Sequence, residues 1–263
     1  SFNQIREVQA EHLLGRESVD FQEGPARAVV EGRTVLVTGA GGSIGSELCR
    51  QICRFGPETL VLFERAESPL YEIEVDLKRD FKQLSIVPLL ADIQDRPCLR
   101  ETFKIYRPQI LFHAAAYKHV PMLELQPWKA VENNILGTQY LLDAATEFKL
   151  DRFVLVSTDK AVKPGNVMGA SKRVAEMITL NRYLCGLSES RMIAVRFGNV
   201  VGSVGSVAPL FKKQIELGGT ISITEALAQA QRADAPVALH FHSKSCGTCR
   251  AWRGSARRAT APG

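Results

Sequence analysis

No run of apolar residues in this chain approaches the ~20 needed to cross a bilayer. No signal peptide is visible either, which predicts a cytoplasmic protein. The chain opens at Ser1 rather than Met, which predicts a fragment or a processed form. A disulfide framework is also missing. Of six cysteines, Cys49, Cys53, Cys98 and Cys185 stand singly in apolar or helical contexts and read as small buried hydrophobes. A basic surface for nucleic acid is not indicated. The net charge is +5, but six Lys/Arg against two acids after residue 224 supply +4 of it, so the excess belongs to the tail. No cluster with metal-ligand spacing precedes that tail. What remains is a chain of 263 residues, 45% hydrophobic and 23% charged, enough for one large domain or one and a half smaller ones.

The richest stretch is Thr34-Val-Leu-Val-Thr-Gly-Ala-Gly-Gly-Ser-Ile-Gly-Ser46. A β-branched run, Thr34 to Thr38, meets glycines at 39, 42 and 45 and then a helix-compatible segment. Strand, glycine turn and helix in that order bring backbone N–H groups and the positive end of a helix dipole to one point, which suits a pyrophosphate. Gly39 permits the turn, Gly42 admits the phosphates, and Gly45 allows the helix to pack on the strand. Ser43 and Ile44 offer first-turn amides. Glycines also punctuate ordinary loops, but here the flanks match on both sides.

A second buried strand, Thr59-Leu-Val-Leu-Phe, ends at Glu64, 19 residues past Gly45. A carboxylate there would accept hydrogen bonds from the adenosine ribose. Arg65 follows and could meet a 2′-phosphate instead, so NAD is favoured, because Glu64 repels that phosphate, while NADP stays open. By itself the pair would read as a solvated Glu-Arg loop.

Apolar runs predict strands near 34–38, 59–63, 86–90, 109–113, 152–157 and 192–197. Helical patterns fall near 43–55, 68–80, 96–105, 127–147, 168–186 and 207–217. Strands separated by helix-length segments predict right-handed crossovers and a doubly wound parallel α/β sheet. Ligands of such sheets collect at the carboxyl ends of the strands. There the chain places Asp92 and Ile93, suited to adenine, and then Ala114, Ala115 and Ala116, small enough for a dinucleotide to lie on the backbone. Ser157-Thr158-Asp159-Lys160 and Arg196-Phe-Gly-Asn199 end the last two strands.

Together, Thr38-Gly-Ala-Gly-Gly-Ser-Ile-Gly-Ser46, His113-Ala-Ala-Ala-Tyr-Lys-His-Val-Pro121, Asn134-Ile-Leu-Gly-Thr138, Ser157-Thr-Asp-Lys-Ala161, Val167-Met-Gly-Ala-Ser-Lys172 and Arg196-Phe-Gly-Asn-Val-Val-Gly202 carry a family resemblance. Over roughly residues 10 to 224 the chain resembles the UDP-N-acetylglucosamine 4,6-dehydratases of bacterial polysaccharide biosynthesis, within the extended short-chain dehydrogenase/reductase superfamily. The resemblance implies a Rossmann-type domain over residues 33–224, preceded by a linker at 1–32, and a bound NAD or NADP. It also implies a UDP-sugar substrate and leaves a homo-oligomer open. Leu13-Leu-Gly-Arg16 resembles the linker that joins an N-terminal membrane domain to the catalytic domain in long members, so a parent protein could be anchored in the inner membrane.

The chemistry so implied oxidises the sugar at carbon 4, removes the carbon-5 proton and the carbon-6 hydroxyl, and returns the hydride to carbon 6. It needs a base for the carbon-4 hydroxyl, a base at carbon 5 and an acid at carbon 6. In the broader superfamily a Tyr four residues before a Lys performs the first task. Here Lys172 has Met168 at that position, and a thioether cannot exchange protons. Met168 could simply fill a core gap, yet the departure matches the long dehydratases and counts against an epimerase. By the resemblance, Asp159 is the acid at carbon 6 and Lys160 the base at carbon 5, depressed by desolvation and by Lys172, while Thr158 holds a sugar hydroxyl. The base for the carbon-4 hydroxyl stays open, and Thr158-Asp-Lys160 could instead be a helix-capping turn. Lys118 and His119 could neutralise a diphosphate, and Arg196 and Asn199 could contact substrate or cofactor. Asn134 is as well explained by scaffolding.

After Thr224 the family pattern stops, which implies a truncated or replaced substrate lobe. The segment 225–263 reads as a helical run, a strand and Cys246-Gly-Thr-Cys249, resembling the opening of a thioredoxin-like domain, followed by a disordered end. A chimeric terminus or half a zinc site would look similar. The functional alternatives are a 4-epimerase, an inactive cofactor-binding fragment, and a thiol redox activity at Cys246/Cys249.

Overall fold

The computed structural model describes residues 23–198. The expected helix 207–217, Asn199 and the Cys246/Cys249 pair lie outside the described residues. Six strands, β1 (Thr34–Thr38), β2 (Thr59–Glu64), β3 (Ser85–Leu90), β4 (Ile110–His113), β5 (Arg152–Thr158) and β6 (Arg191–Phe197), form one sheet in the order β3-β2-β1-β4-β5-β6. The ladders from β3 through β5 are parallel, with Thr38 opposite both Phe63 and His113. This is the doubly wound order in which the chain reverses direction at β1, and the crevice opens where β1 and β4 diverge. Pro88 donates no ladder bond and falls on the edge strand, where that loss costs least.

The helices are α1 (Glu23–Val30), α2 (Ser43–Arg54), α3 (Glu67–Asp80), α4 (Arg96–Tyr106), α5 (Val120–Leu125), α6 (Pro127–Ala130), α7 (Thr138–Glu147) and α8 (Val167–Leu184). All five residues of β1 are buried, because helices cover both faces of the sheet. On one face Leu36, Val61, Leu111 and Phe153 pack with Leu99 and Phe103 of α4 and Leu141 and Leu142 of α7. On the other, Val35, Val37, Leu60 and Leu62 pack with Ile52 of α2 and Ile73 and Leu77 of α3. Each such side chain contributes about 1.5–3 kcal/mol when fully buried.

Strand and helix positions expected from periodicity agree with these to within one or two residues, apart from the short helix α5, which periodicity did not predict, and three further differences. The segment read as a linker is helical from Glu23 to Val30, and Val30 closes one face of the core. The helix expected over 127–147 is interrupted by a π-helical stretch, Val131–Gly137, between α6 and α7. Apolar spacing cannot report this; Asn134, whose side-chain bonds are described below, lies within the stretch. The third difference concerns the cysteines. Cys49 and Cys53 are buried, with their thiols pushed up by burial, but Cys98 is only half-buried and Cys185 is exposed. Cys185 caps the end of α8, where the chain leaves the core. No helix among the described residues is long and apolar enough to cross a membrane.

Candidate active site

The glycine loop is as tight as its composition demands. Gly39 has φ +70°, and a Cβ there would lie 2.7 Å from the Ala115 amide nitrogen. A Cβ on Gly45 would lie 1.9 Å from the Gly39 carbonyl oxygen, so α2 can begin here only with glycine at 45. Gly41 belongs with them: its Cβ would meet Pro69 at 2.5 Å. The motif reading passed over Gly41, although the Gly41-Gly42 doublet carried the signal. Gly42 is the N-cap residue of α2 and offers no side-chain cap. Ser43, Ile44 and Gly45 form the first turn of α2, which begins after the carboxyl end of β1.

The loop borders a cavity of about 310 Å³ at the sheet's carboxyl edge. Glu64, Arg65, Asp92, Ile93, Ala114, Ala115 and Ala116 all line it, so the structure brings together the residues that separate strand ends contributed. Glu64 is fixed by three backbone donors: Gly41 N–H donates to Oε2 at 3.2 Å, and Arg65 and Ala66 N–H donate to Oε1 at 2.9 and 3.0 Å. Ile93 is buried, and its side chain occupies the space that a Cβ on Gly137 would need, 2.6 Å away.

A buried hydrogen-bond chain ties this cavity to α8. Asn134, in the π-helical stretch, accepts from the Tyr117 amide at 2.9 Å and donates to the Tyr117 carbonyl at 3.1 Å and to Ser171 Oγ at 3.0 Å. Scaffolding is therefore what its contacts describe. His113 sits between Thr38 Oγ1, 2.7 Å from Nδ1, and Thr138 Oγ1, 2.9 Å from Nε2. Thr138 gives its only proton to the Asn134 carbonyl at 2.7 Å, so His113 donates from Nε2 and accepts at Nδ1. Burial, with the Lys172 charge adding to it, pushes the imidazole well below its ordinary value and keeps it neutral.

Lys172 does not line the cavity, but it is the most unusual buried group among the described residues. It is 5% exposed, and among the described residues its ammonium has no hydrogen-bond partner. Burial pulls its pKa down to about 8, against the Glu176 charge, which favours the ammonium. Met168 stands one turn earlier on α8, also buried, packed with Leu123 and Ala130 and against Tyr117.

Thr158 ends β5, and Asp159 and Lys160 begin the single 3-10 turn that follows, Asp159–Ala161. Thr158 is the cap: its hydroxyl donates to Asp159 Oδ1 at 2.9 Å and accepts from Lys160 N–H at 3.3 Å. The capping reading and the catalytic one thus share the same residues. Lys160 Nζ is 3.3 Å from Asp159 Oδ1, and both side chains are about one-third exposed, 36% and 35%. Lys172, by contrast, is buried. A Cβ on Gly169 would stand 2.5 Å from the Lys160 carbonyl, so this turn presses directly on the first turn of α8.

Arg196 has a different place from the one its motif suggested. Its guanidinium grips Glu176, Nε at 2.7 Å and Nη2 at 2.5 Å, and it does not line the cavity. Glu176 is buried and also accepts from Ser157 Oγ at 2.6 Å and Arg173 at 3.2 Å. Burial pushes its carboxyl up, but the bonds from Arg196 and Ser157 outweigh that and hold it below its ordinary value. Arg196 is a brace joining β6 to α8. Lys118 and His119 do not line the cavity either; His119 is the N-cap position of α5.

A family model described as "Polysaccharide biosynthesis protein" matches residues 35–229, from the second residue of β1 to beyond the end of β6. The chain belongs to the polysaccharide biosynthesis protein family. It is 50% identical over 222 residues to the probable polysaccharide biosynthesis protein EpsC of Bacillus subtilis, covering 84% of this chain and 37% of that protein. It is 32% identical to a UDP-N-acetylglucosamine 4,6-dehydratase (inverting) of Campylobacter jejuni, over 71% of this chain and 55% of the relative. A UDP-glucose 4-epimerase of Rickettsia akari matches equally, at 32% over 73% of this chain and 56% of its own length. The chain thus spans between about a third and a little over half of these relatives.

Proposed function

We propose that residues 33–224 form the catalytic domain of a nucleotide-sugar 4,6-dehydratase that binds a nicotinamide dinucleotide and acts on UDP-N-acetylglucosamine. The observation that carries this reading is the first turn of α8. A buried ammonium at Lys172 has no hydrogen-bond partner among the described residues, and no hydroxyl stands one turn before it. The epimerase reading needs a phenol in that place, and Met168 supplies none.

The chain's own groups fit a dinucleotide. The glycine cradle leaves no room for Cβ atoms at 39, 41 or 45, and the amides at the start of α2 suit a pyrophosphate. Glu64 has a remaining acceptor site for a ribose hydroxyl, since a carboxylate accepts about four bonds and three are taken. Lys172 suits the second ribose, where hydroxyl acceptors would satisfy its ammonium. When bound, the dinucleotide supplies a hydride acceptor and donor for the sugar.

The remaining work is proton transfer, and Asp159 with Lys160 is the pair suited to it. At 3.3 Å the two hold one exchangeable proton between them. Moving it from Nζ to the carboxylate leaves an amine able to take the carbon-5 proton. The carboxylic acid can then protonate the departing carbon-6 oxygen. Gly169, pressed on the Lys160 carbonyl, sets this pair beside Lys172's helix. Thr158 is spent on positioning Asp159.

Incubation with UDP-N-acetylglucosamine in D2O tests the reading. The expected product is a 4-keto-6-deoxy sugar carrying deuterium at carbon 5. A 4-epimer with carbon 6 still hydroxylated would overturn it in favour of the epimerase.

A further inference from the structure

We infer that Asp92 and Tyr117 decide the cofactor by holding Arg65 away from the adenosine 2′ position, so that the crevice takes a free 2′-hydroxyl in preference to a 2′-phosphate. This rests on the dinucleotide reading above and refines it to a subclass of cofactor.

Among the described residues lining the cavity Arg65 is the only cation, and it directly follows Glu64 at the end of β2. A free guanidinium there would attract a phosphate carrying about −1.5 to −2 charge. Here it is engaged twice. Its Nη1 donates to the Tyr117 hydroxyl at 2.5 Å, with Cζ 4.4 Å above the Tyr117 ring. The same nitrogen lies 3.7 Å from Asp92 Oδ2.

Both tethers are themselves anchored. The Tyr117 amide and carbonyl are bonded to buried Asn134, and Asp92 accepts from the Gln94 N–H through its other oxygen at 2.9 Å. Glu64 is pinned by three amides and cannot turn away. A 2′-phosphate would thus meet a fixed carboxylate and a cation already neutralised by a second one. A 2′-hydroxyl needs only one acceptor.

NAD and NADP affinities of the chain and its variants, measured by calorimetric titration, test this. The unaltered chain should bind NAD more tightly. Tyr117→Phe, which keeps the ring under the guanidinium, and Asp92→Asn should each raise the NADP-to-NAD affinity ratio, by up to about tenfold. Adding Arg65→Ala to either variant should return the ratio to that of the unaltered chain, because the gain runs through Arg65. Equal binding of NAD and NADP by the unaltered chain overturns the inference. So does a ratio that neither tether moves, or one that moves equally without Arg65, and in each of those cases the dinucleotide site stands. Binding of neither dinucleotide overturns the reading of the site as well.

Discussion

Lys172 stands one helical turn beyond Met168 on α8, and both side chains are buried. An ammonium that is enclosed without a hydrogen bond among the described residues is an expense to the fold, and a thioether one turn away offers no relief. The arrangement makes sense where a ligand completes it.

Replacing Lys172 separates folding from binding. In the folded chain the ammonium is lost at about pH 8, whereas its ordinary value is 10.5. Between those limits the unfolded chain binds more protons than the folded one, so stability rises with pH across that window, and below about pH 8 the full penalty persists. The penalty amounts to about 3 kcal/mol. Lys172→Met should raise the midpoint of denaturation at pH 7 and flatten the rise between pH 8 and 10.5, as followed by urea unfolding. It should also weaken dinucleotide binding by about tenfold or more.

Gly45→Ala places a methyl 1.9 Å from the Gly39 oxygen, a backbone atom that cannot swing aside. Either α2 shifts or the glycine turn opens. A loss of about 1–3 kcal/mol in unfolding free energy is expected, with dinucleotide binding falling further than stability alone accounts for. Parallel denaturation and titration curves distinguish the two effects.

Glu176→Ala strands the Arg196 and Ser157 donors behind the active-site turn. Because Arg196 is partly solvated, the expected cost is roughly 2 kcal/mol, below the ~3–5 kcal/mol of a fully enclosed pair. Amide hydrogen exchange should show the loss concentrated at the junction of β5, β6 and α8. Protection spread evenly over the sheet would mean that the brace is not local.

Asp159→Asn removes the exchangeable proton of the Asp159–Lys160 pair while keeping an acceptor for Thr158. Formation of the 4-keto-6-deoxy product should fall by about a hundredfold or more. Titration with the dinucleotide, measured alongside, distinguishes a lost acid from a damaged site.

Much of the architecture was legible because its causes are local. The β-branched run at Thr34–Thr38 and the glycines after it act through φ, propensity and packing of neighbours within a dozen residues. The crossover rule then leaves a doubly wound parallel sheet, whose strand order the structure supplies. Glu64, Asp92 and the three alanines could be placed on the crevice for the same reason: each ends a strand. The π-helical stretch, the exposure of Cys185 and the burial of Lys172 could not. They depend on which side chains meet from distant segments.

The sequence alone therefore determined that a parallel sheet exists, that its carboxyl edge holds a glycine cradle, and that Met168 replaces a hydroxyl before Lys172. Tertiary structure alone decided the partners: Arg196 on Glu176, Arg65 on Tyr117 and Asp92, and none among the described residues for Lys172. Periodicity encodes which face a residue takes. Hydrogen-bond and ion-pair energies fall off within a few ångströms, and the Arg65–Tyr117 bond joins residues 52 positions apart. Only the folded chain brings such groups within reach.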